Sequence, residues 1–176
     1  MVKLFMLTGF QLRAARGILG ITREELGNTI KLNPVTIKKL ENKTKNLNYL
    51  NCLANTMHQL SEYFIKNNIL FQGGDSISLN TYMVQENLEK ELLTRFQFKA
   101  ARIATRLSQE KLGKILGLSQ STLYDFEQKS NTDFISCKKL ELKNIILFFT
   151  ENGIVFSDYL TVTLTEDPQM LLNKEK

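Results

Sequence analysis

Residues 7–41 of this chain recur as residues 93–127, and that duplication limits the possible folds more than any other feature. Displaced by 86 positions, the two stretches align without a gap, and 13 of the 35 pairs are identical. The identities include Leu7/Leu93, Thr8/Thr94, Phe10/Phe96, Gln11/Gln97, Ala15/Ala101, Arg16/Arg102, Gly27/Gly113, Thr36/Thr122 and Glu41/Glu127. After a one-residue deletion the offset becomes 85, so that Cys52 meets Cys137, Phe64 meets Phe149, and Ile77 and Leu79 meet Val162 and Leu164. Such a period describes two copies of one supersecondary unit. A fold class must therefore accommodate the same 80-odd residues twice.

Each copy reads in the same order of elements. Thr8-x-x-Gln11 and Thr94-x-x-Gln97 have capping-box spacing and open a first helix that runs to about Leu19 or Thr105. Thr22 and Ser108 cap a short second helix that ends near Ile30 or Leu116. Gly117 stands where a tight turn between helices needs a left-handed residue, whereas the first copy has Lys31 there, at a steric cost that predicts a strained or altered turn. Asn33 and Ser119 cap a third helix, with Pro34 at its first position in copy one, where a missing N–H costs nothing. Ile37 and Leu40, like Leu123 and Phe126, then fall on one face. A polar loop leads to a fourth helix, roughly 49–66 and 135–151. Strand-like stretches follow at 69–72 and 76–79, around Gly73-Gly74, and at 154–157 and 161–164.

The expected architecture is mainly α. Residues 1–82 and 83–165 form two tandem helical domains, each ending in a short β-hairpin, and residues 166–176 form a loose tail. The linker from 80 to about 91 contains no Gly or Pro and is compatible with a helical start.

Composition narrows the function classes. The 43% apolar content supports packed cores, and no apolar run approaches the roughly 18 residues of a membrane span. The first residues lack the length and cleavage site of a signal peptide, so the expectation is a cytoplasmic protein without a membrane partner. Two cysteines and one histidine do not make a four-ligand metal site; Cys52 and Cys137 read as small buried thiols within helices, with a disulfide or reactive thiol as the alternative, and His58 as an ordinary surface or partly packed residue. With no phosphate-binding glycine loop and no recognisable catalytic constellation, neither a cofactor nor an enzyme is expected. The formal charge of +5 tilts toward an acidic partner.

The stretch Ser108-Gln109-Glu110-Lys111-Leu112-Gly113, continued by Gly117-Leu118-Ser119-Gln120-Ser121-Thr122-Leu123-Tyr124-Asp125-Phe126-Glu127, resembles the phage-repressor-like (Xre-type) helix-turn-helix family. Copy one keeps much of the pattern as Thr22-Arg23-Glu24-Glu25-Leu26-Gly27, Leu32-Asn33 and Thr36-Ile37-Lys38-Lys39-Leu40-Glu41. Gly27 and Gly113 depart from the family's usual alanine, which costs helix propensity of about 1 kcal/mol each. The resemblance implies a sequence-specific, double-stranded DNA-binding regulator of transcription with repressor-like domains. Its recognition helices, about 33–42 and 119–128, would lie in the major groove.

On that resemblance the second copy's DNA-facing set is Ser119, Gln120, Ser121 and Asp125, with Gln109 on a phosphate or bracing Gln120. The first copy's set is Arg23, Asn33, Pro34, Val35, Lys38 and Lys39. Glu41, Glu127, Leu26, Leu112, Ala15, Ala101, Leu40 and Phe126 read as scaffold. The alternative is an adaptor, in which one or both copies bind protein, for example RNA polymerase or another regulator. The hairpins carry free edges. Pairing of those edges makes either a monomeric pseudo-dimer with a four-stranded sheet or a homodimer, and the sequence leaves that choice open.

Overall fold

Local capping chemistry sets the helix boundaries. In the computed structural model, which describes residues 6–81, 92–168 and 172, the chain is mainly helical and divides into two compact units, Met1–Asn80 and Thr81–Lys176. The first holds α1 (Gly9–Leu19), α2 (Arg23–Ile30), α3 (Pro34–Lys43), α4 (Ala54–Lys66), β1 (Ile69–Gln72) and β2 (Ser76–Leu79). The second repeats this order as α5 (Arg95–Thr105), α6 (Gln109–Leu116), α7 (Gln120–Gln128), α8 (Lys139–Glu151), β3 (Ile154–Val155) and β4 (Thr161–Leu164).

The capping boxes form as the spacing predicts. Thr8 Oγ1 accepts from the Gln11 amide at 3.4 Å, while Gln11 Oε1 accepts from the Thr8 amide at 3.1 Å. Gln11 has a second task that its spacing does not reveal. Its Nε2 donates to the carbonyls of Gly73 and Ser76 at 3.0 and 2.8 Å, which ties the start of α1 to the hairpin turn. Gln97 does the same in the second unit, donating to the carbonyls of Asp158 and Thr161. The first-turn amides of α1 and α5 lack helical acceptors. They find them in the loop after the third helix: Gly9 and Phe10 donate to Asn48 and Asn46 carbonyls, and Arg95 and Phe96 to those of Asp133 and Asn131.

Each unit packs its own core. Leu7, Phe10, Leu26, Ile37, Leu60, Phe64, Ile69 and Ile77 are sealed from solvent in the first, and Phe96, Phe98, Leu112, Leu123, Ile145, Phe149, Ile154 and Val162 in the second. Phe98, where copy one has Leu12, stacks edge-on against Phe126 and Phe149 with centroids 5.4 and 6.0 Å apart. Both hairpins are antiparallel, with Ile69 opposite Leu79 and Ile154 opposite Leu164.

Several expectations need correction. The fourth helices start later than residues 49 and 135, because the preceding chain is extended and pairs backward. Leu50 donates to the Leu7 carbonyl and Ile135 to that of Leu93, with bridges Thr8/Tyr49 and Thr94/Phe134. Cys52, at a bend, and Cys137 sit in the segments just before these helices, half-buried, rather than inside helices. The second hairpin's first strand stops at Val155 instead of continuing to 157. The tail is packed at its start: Asp167 and Pro168 are buried, and the Thr165 amide donates to the Gly153 carbonyl. Most of the linker and most of the rest of the tail lie outside the described residues.

The Lys31 turn does not differ from its partner. Lys31 adopts φ 54° and ψ 41°, beside φ 68° and ψ 27° for Gly117, so it accepts a left-handed cap without altering the turn. Copy one thus bears a side-chain penalty that copy two avoids. Lys31→Gly should stabilise the protein by about 1 kcal/mol, and Gly117→Lys should destabilise it by a similar amount. Urea unfolding checks both, as opposite midpoint shifts with unchanged slope.

Candidate nucleic-acid interface

The third helix of each unit is held from beneath by one buried carboxylate. Glu41, 1% exposed, receives Arg16 Nε from α1 at 2.5 Å and Arg23 Nε from α2 at 2.5 Å. Arg16 also donates to the Ile21 carbonyl, so one side chain fixes the end of α1, the loop and α3 together. In the second unit Glu127 takes both Arg102 Nε and Arg102 Nη2, and Arg102 Nη1 reaches the Leu107 carbonyl at 2.9 Å. A buried carboxylate without such partners would be strongly unfavourable. The pairing therefore fixes which way the rest of each helix faces.

With Ile37, Leu40 and Glu41 turned inward, α3 presents Asn33, Val35, Lys38 and Lys39 to solvent. Val35 is 56% exposed, an apolar side chain left outside the core. On α7, with Leu123, Phe126 and Glu127 inward, Ser119, Gln120, Ser121 and Asp125 are exposed. Tyr124, the repeat partner of Lys38, is 53% exposed on the same face. Sequence reading passed over Tyr124, although its place beside Asp125 on the helix was signal enough.

Four of the expected residues, Ser119, Ser121, Asn33 and Arg23, are engaged. Ser119 is the cap of α7, accepting from the Thr122 amide at 3.0 Å and sharing hydrogen bonds with the Ser121 and Thr122 hydroxyls at 2.8 Å. Asn33 Oδ1 accepts from the Val35 amide at 2.8 Å. Arg23 is drawn to Glu41 through Nε, with 39% of its side chain in solvent. Pro34 is half-buried against Gly27, and Gln109, the first residue of α6, is half-buried without a hydrogen bond to Gln120. Both glycines face the turn closely: a Cβ on Gly27 would lie 2.4 Å from the Leu32 carbonyl oxygen, and one on Gly113 2.5 Å from that of Leu118. Here glycine gives the turn room, which outweighs its weak helix propensity.

A groove of about 460 Å³ runs beside α3, lined by Thr36, Lys39, Lys43, Asn48, Tyr49 and Asn51 among others. It couples two lysines to amide side chains and an aromatic ring, and the repeat alignment alone did not reveal it. Charge differs between the copies. Residues 1–80 carry 10 Lys and Arg against 5 Asp and Glu, whereas residues 81–176 carry 13 of each.

Beneath α7 the cations crowd. Arg95 donates through Nε to the Glu127 carbonyl at 3.1 Å and through Nη1 to Asn131 Oδ1. Lys99 lies half-buried near Arg95 and Arg102. Burial, then the repulsion of those guanidiniums, outweighs Glu127 and pushes its pKa down to about 8. The cysteine thiols are pushed the other way by burial, with Glu141 adding to the shift at Cys137, and so resist forming thiolate. Among the described residues no cluster of His, Cys, Asp and Glu suits a metal ion, and no helix is long and apolar enough to cross a membrane. The chain matches no protein-family model, no curated protein and no solved structure.

Two outcomes test this arrangement. Glu41→Ala should cost about 1–3 kcal/mol, because it leaves the part-buried guanidinium of Arg16 unpaired, whereas Arg23→Gln, which copies Gln109, should cost about 1 kcal/mol or less. Chemical denaturation of both variants measures the difference. The Lys99 effect is pH-dependent. Its folded-state pKa lies below the unfolded value, so the charged amine destabilises the fold below pH 8, and that penalty fades as pH rises toward 10.5. Lys99→Met should therefore be more stable than the wild type at pH 7, by a margin that shrinks from pH 8 to 10.5 in paired urea titrations.

Proposed function

We propose that this chain is a sequence-specific, double-stranded DNA-binding regulator of transcription that reads DNA with two non-identical helix-turn-helix units of the phage-repressor-like type. One observation carries the reading: α3 and α7 are short capped helices, each held on its inner face by a buried, arginine-bound glutamate. Each leaves an outer face of side chains suited to base edges and phosphates. In such motifs the second helix of the pair enters the major groove with its first residues against the bases.

The two faces read different chemistry. On α7, Gln120 pairs with adenine through both ends of its amide, and Asp125 accepts from the amino group of cytosine. Ser119 and Ser121, already joined to each other, contribute hydroxyls at the helix start. On α3, Val35 meets a thymine methyl, while Lys38 and Lys39 engage guanine or phosphate. Asn33 keeps its amide donors, and Pro34 sets the first turn. Arg23 and Gln109, at the starts of the second helices, serve the backbone; Arg23 does so with the nitrogens that its bond to Glu41 leaves over. Because phosphate neutralisation supplies most non-specific affinity, the basic first unit provides attachment and the neutral second unit adds discrimination. Unequal faces require a non-palindromic site.

A second reading has its own support. Tyr124 is 53% exposed beside Asp125 on a unit without net charge, a surface that suits protein as well as DNA. In that reading one or both copies act as an adaptor on RNA polymerase or another regulator.

In vitro selection from a random duplex pool separates the two. The expected product is an asymmetric motif of roughly one and a half to two helical turns. Lys38→Glu with Lys39→Glu should weaken binding at every sequence and flatten the salt dependence by about 2 in log–log slope. Gln120→Ala should relax one base position, with a loss of about 1–3 kcal/mol there. A palindromic product would remove the two-reader proposal, and absence of enrichment would favour the adaptor.

A further inference from the structure

The outer face of α8 differs in kind from its repeat partner on α4. Leu140 and Leu147 are 69% and 50% exposed. Seven residues apart, they lie on one stripe of the helix, with exposed Asn144 between them and exposed Glu151 one turn beyond Leu147. At the 85-residue offset, copy one carries Asn55 and Glu62 in place of the two leucines. Single exposed leucines need no explanation. Here two have replaced polar residues on one seam of a fold that works without them.

Charge along the seam indicates what covers it. Lys139 and Lys143 stand exposed on the first half of α8, and Glu151 is exposed at its last residue. Two copies of the helix laid antiparallel bring the Glu151 of each chain against the start of the other helix, where Lys139 stands. The leucines of the two seams then alternate around the central asparagines. The helix dipoles also oppose each other favourably in this arrangement. A parallel pair would set lysine against lysine and glutamate against glutamate. The face is thus complementary to itself under a two-fold axis, as an isologous contact must be.

We propose that α8 is a homodimerisation surface, on which a second copy of this chain docks antiparallel through Leu140, Leu147 and the Glu151–Lys139 pairs. The inference is independent of DNA binding. A single helix seam is small, so the dimer is weak and forms with rising concentration.

Analytical ultracentrifugation of the full chain without DNA tests it, up to on the order of 100 µM protein, where weak complexes populate. The wild type should shift from the mass of one chain toward two. Leu140→Asn with Leu147→Glu installs residues that copy one already tolerates, and should keep the protein monomeric throughout. Lys139→Glu, and Glu151→Lys in a separate chain, should each reduce self-association about tenfold. Mixing those two variants should restore it, since every pair in the mixed dimer is again opposite in sign. A wild type that stays monomeric overturns the proposal. So does a dimer indifferent to the leucine changes, which would lie elsewhere, the hairpin edges included. Charge variants that fail to recover on mixing would also overturn it.

Discussion

A carboxylate buried beneath the third helix is the constraint on which each unit depends. Glu41 and Glu127 are nearly inaccessible, and each is bound by an arginine from the first helix of its own unit. Removing such a charge from water is unfavourable, and only close guanidinium contacts offset it. The pair therefore contributes orientation more than net stability. Once Glu41 must meet Arg16, the residues one position on either side of the buried stripe have no choice of face, and Lys38 and Lys39 point outward. The same holds for Asp125 on α7. The outer chemistry of each helix is free to change because the inner chemistry is not.

The copies show how such a scaffold changes by exchange between neighbouring positions. A Cβ at Gly9 would lie 2.5 Å from the Lys45 carbonyl oxygen and 3.1 Å from Arg13 Nη1. That glycine leaves space for Arg13, which ties down the loop after α3 by donating to the carbonyls of Glu41 and Thr44 and to Asn46. In copy two the arginine has moved to the glycine's place: Arg95 reaches the Glu127 carbonyl and Asn131, and Lys99 follows at the position of Arg13. The loop is held in both, from different residues. The left-handed helix caps show a similar exchange. Copy one has Gly20 and Lys31, copy two has Arg106 and Gly117, and all four residues have positive φ.

Much of this was legible in the sequence, for reasons that are local. Capping boxes, the proline at the start of α3 and the hairpin around Gly73-Gly74 are contacts between residues a few positions apart, and their spacing records them. The burial of Ile37 and Leu40 follows from helical periodicity. What escaped was non-local. Nothing near Gln11 announces that its amide reaches residues 73 and 76, and the late start of α4 depends on Leu50 pairing with Leu7 across the fold. The groove beside α3 brings Lys43 together with Tyr49 and Asn51, which only the folded loop assembles. Lys31 is instructive in another way. The sequence correctly marked a steric cost, but the turn's geometry was held by Leu32 donating to the Gly27 carbonyl at 2.9 Å, and the side chain conformed.

Duplication makes the pattern of change itself informative. Between the copies, the residues that fix helix to helix persist, as in Arg16/Arg102, Leu26/Leu112 and Glu41/Glu127, while the outer positions of the third helix differ in size, charge and polarity. Val35 faces Ser121 in the alignment, Lys38 faces Tyr124 and Lys39 faces Asp125. Drift on a solvated surface would exchange one polar residue for another at little energetic consequence. Exposing a valine in the first turn of α3, or a tyrosine ring midway along α7, is a different kind of change, because water gains little from the apolar part of either side chain. A single exposed apolar or aromatic side chain is ordinary in itself; on the proposed reading these two lie where DNA covers them. Under the proposed function, the lysines beside Val35 suit an anionic cover, and on α7 the mixture of amide, hydroxyl, ring and carboxylate suits one that carries both donors and acceptors. In that proposal a duplex groove, with phosphates at its rim and base edges along its floor, offers both.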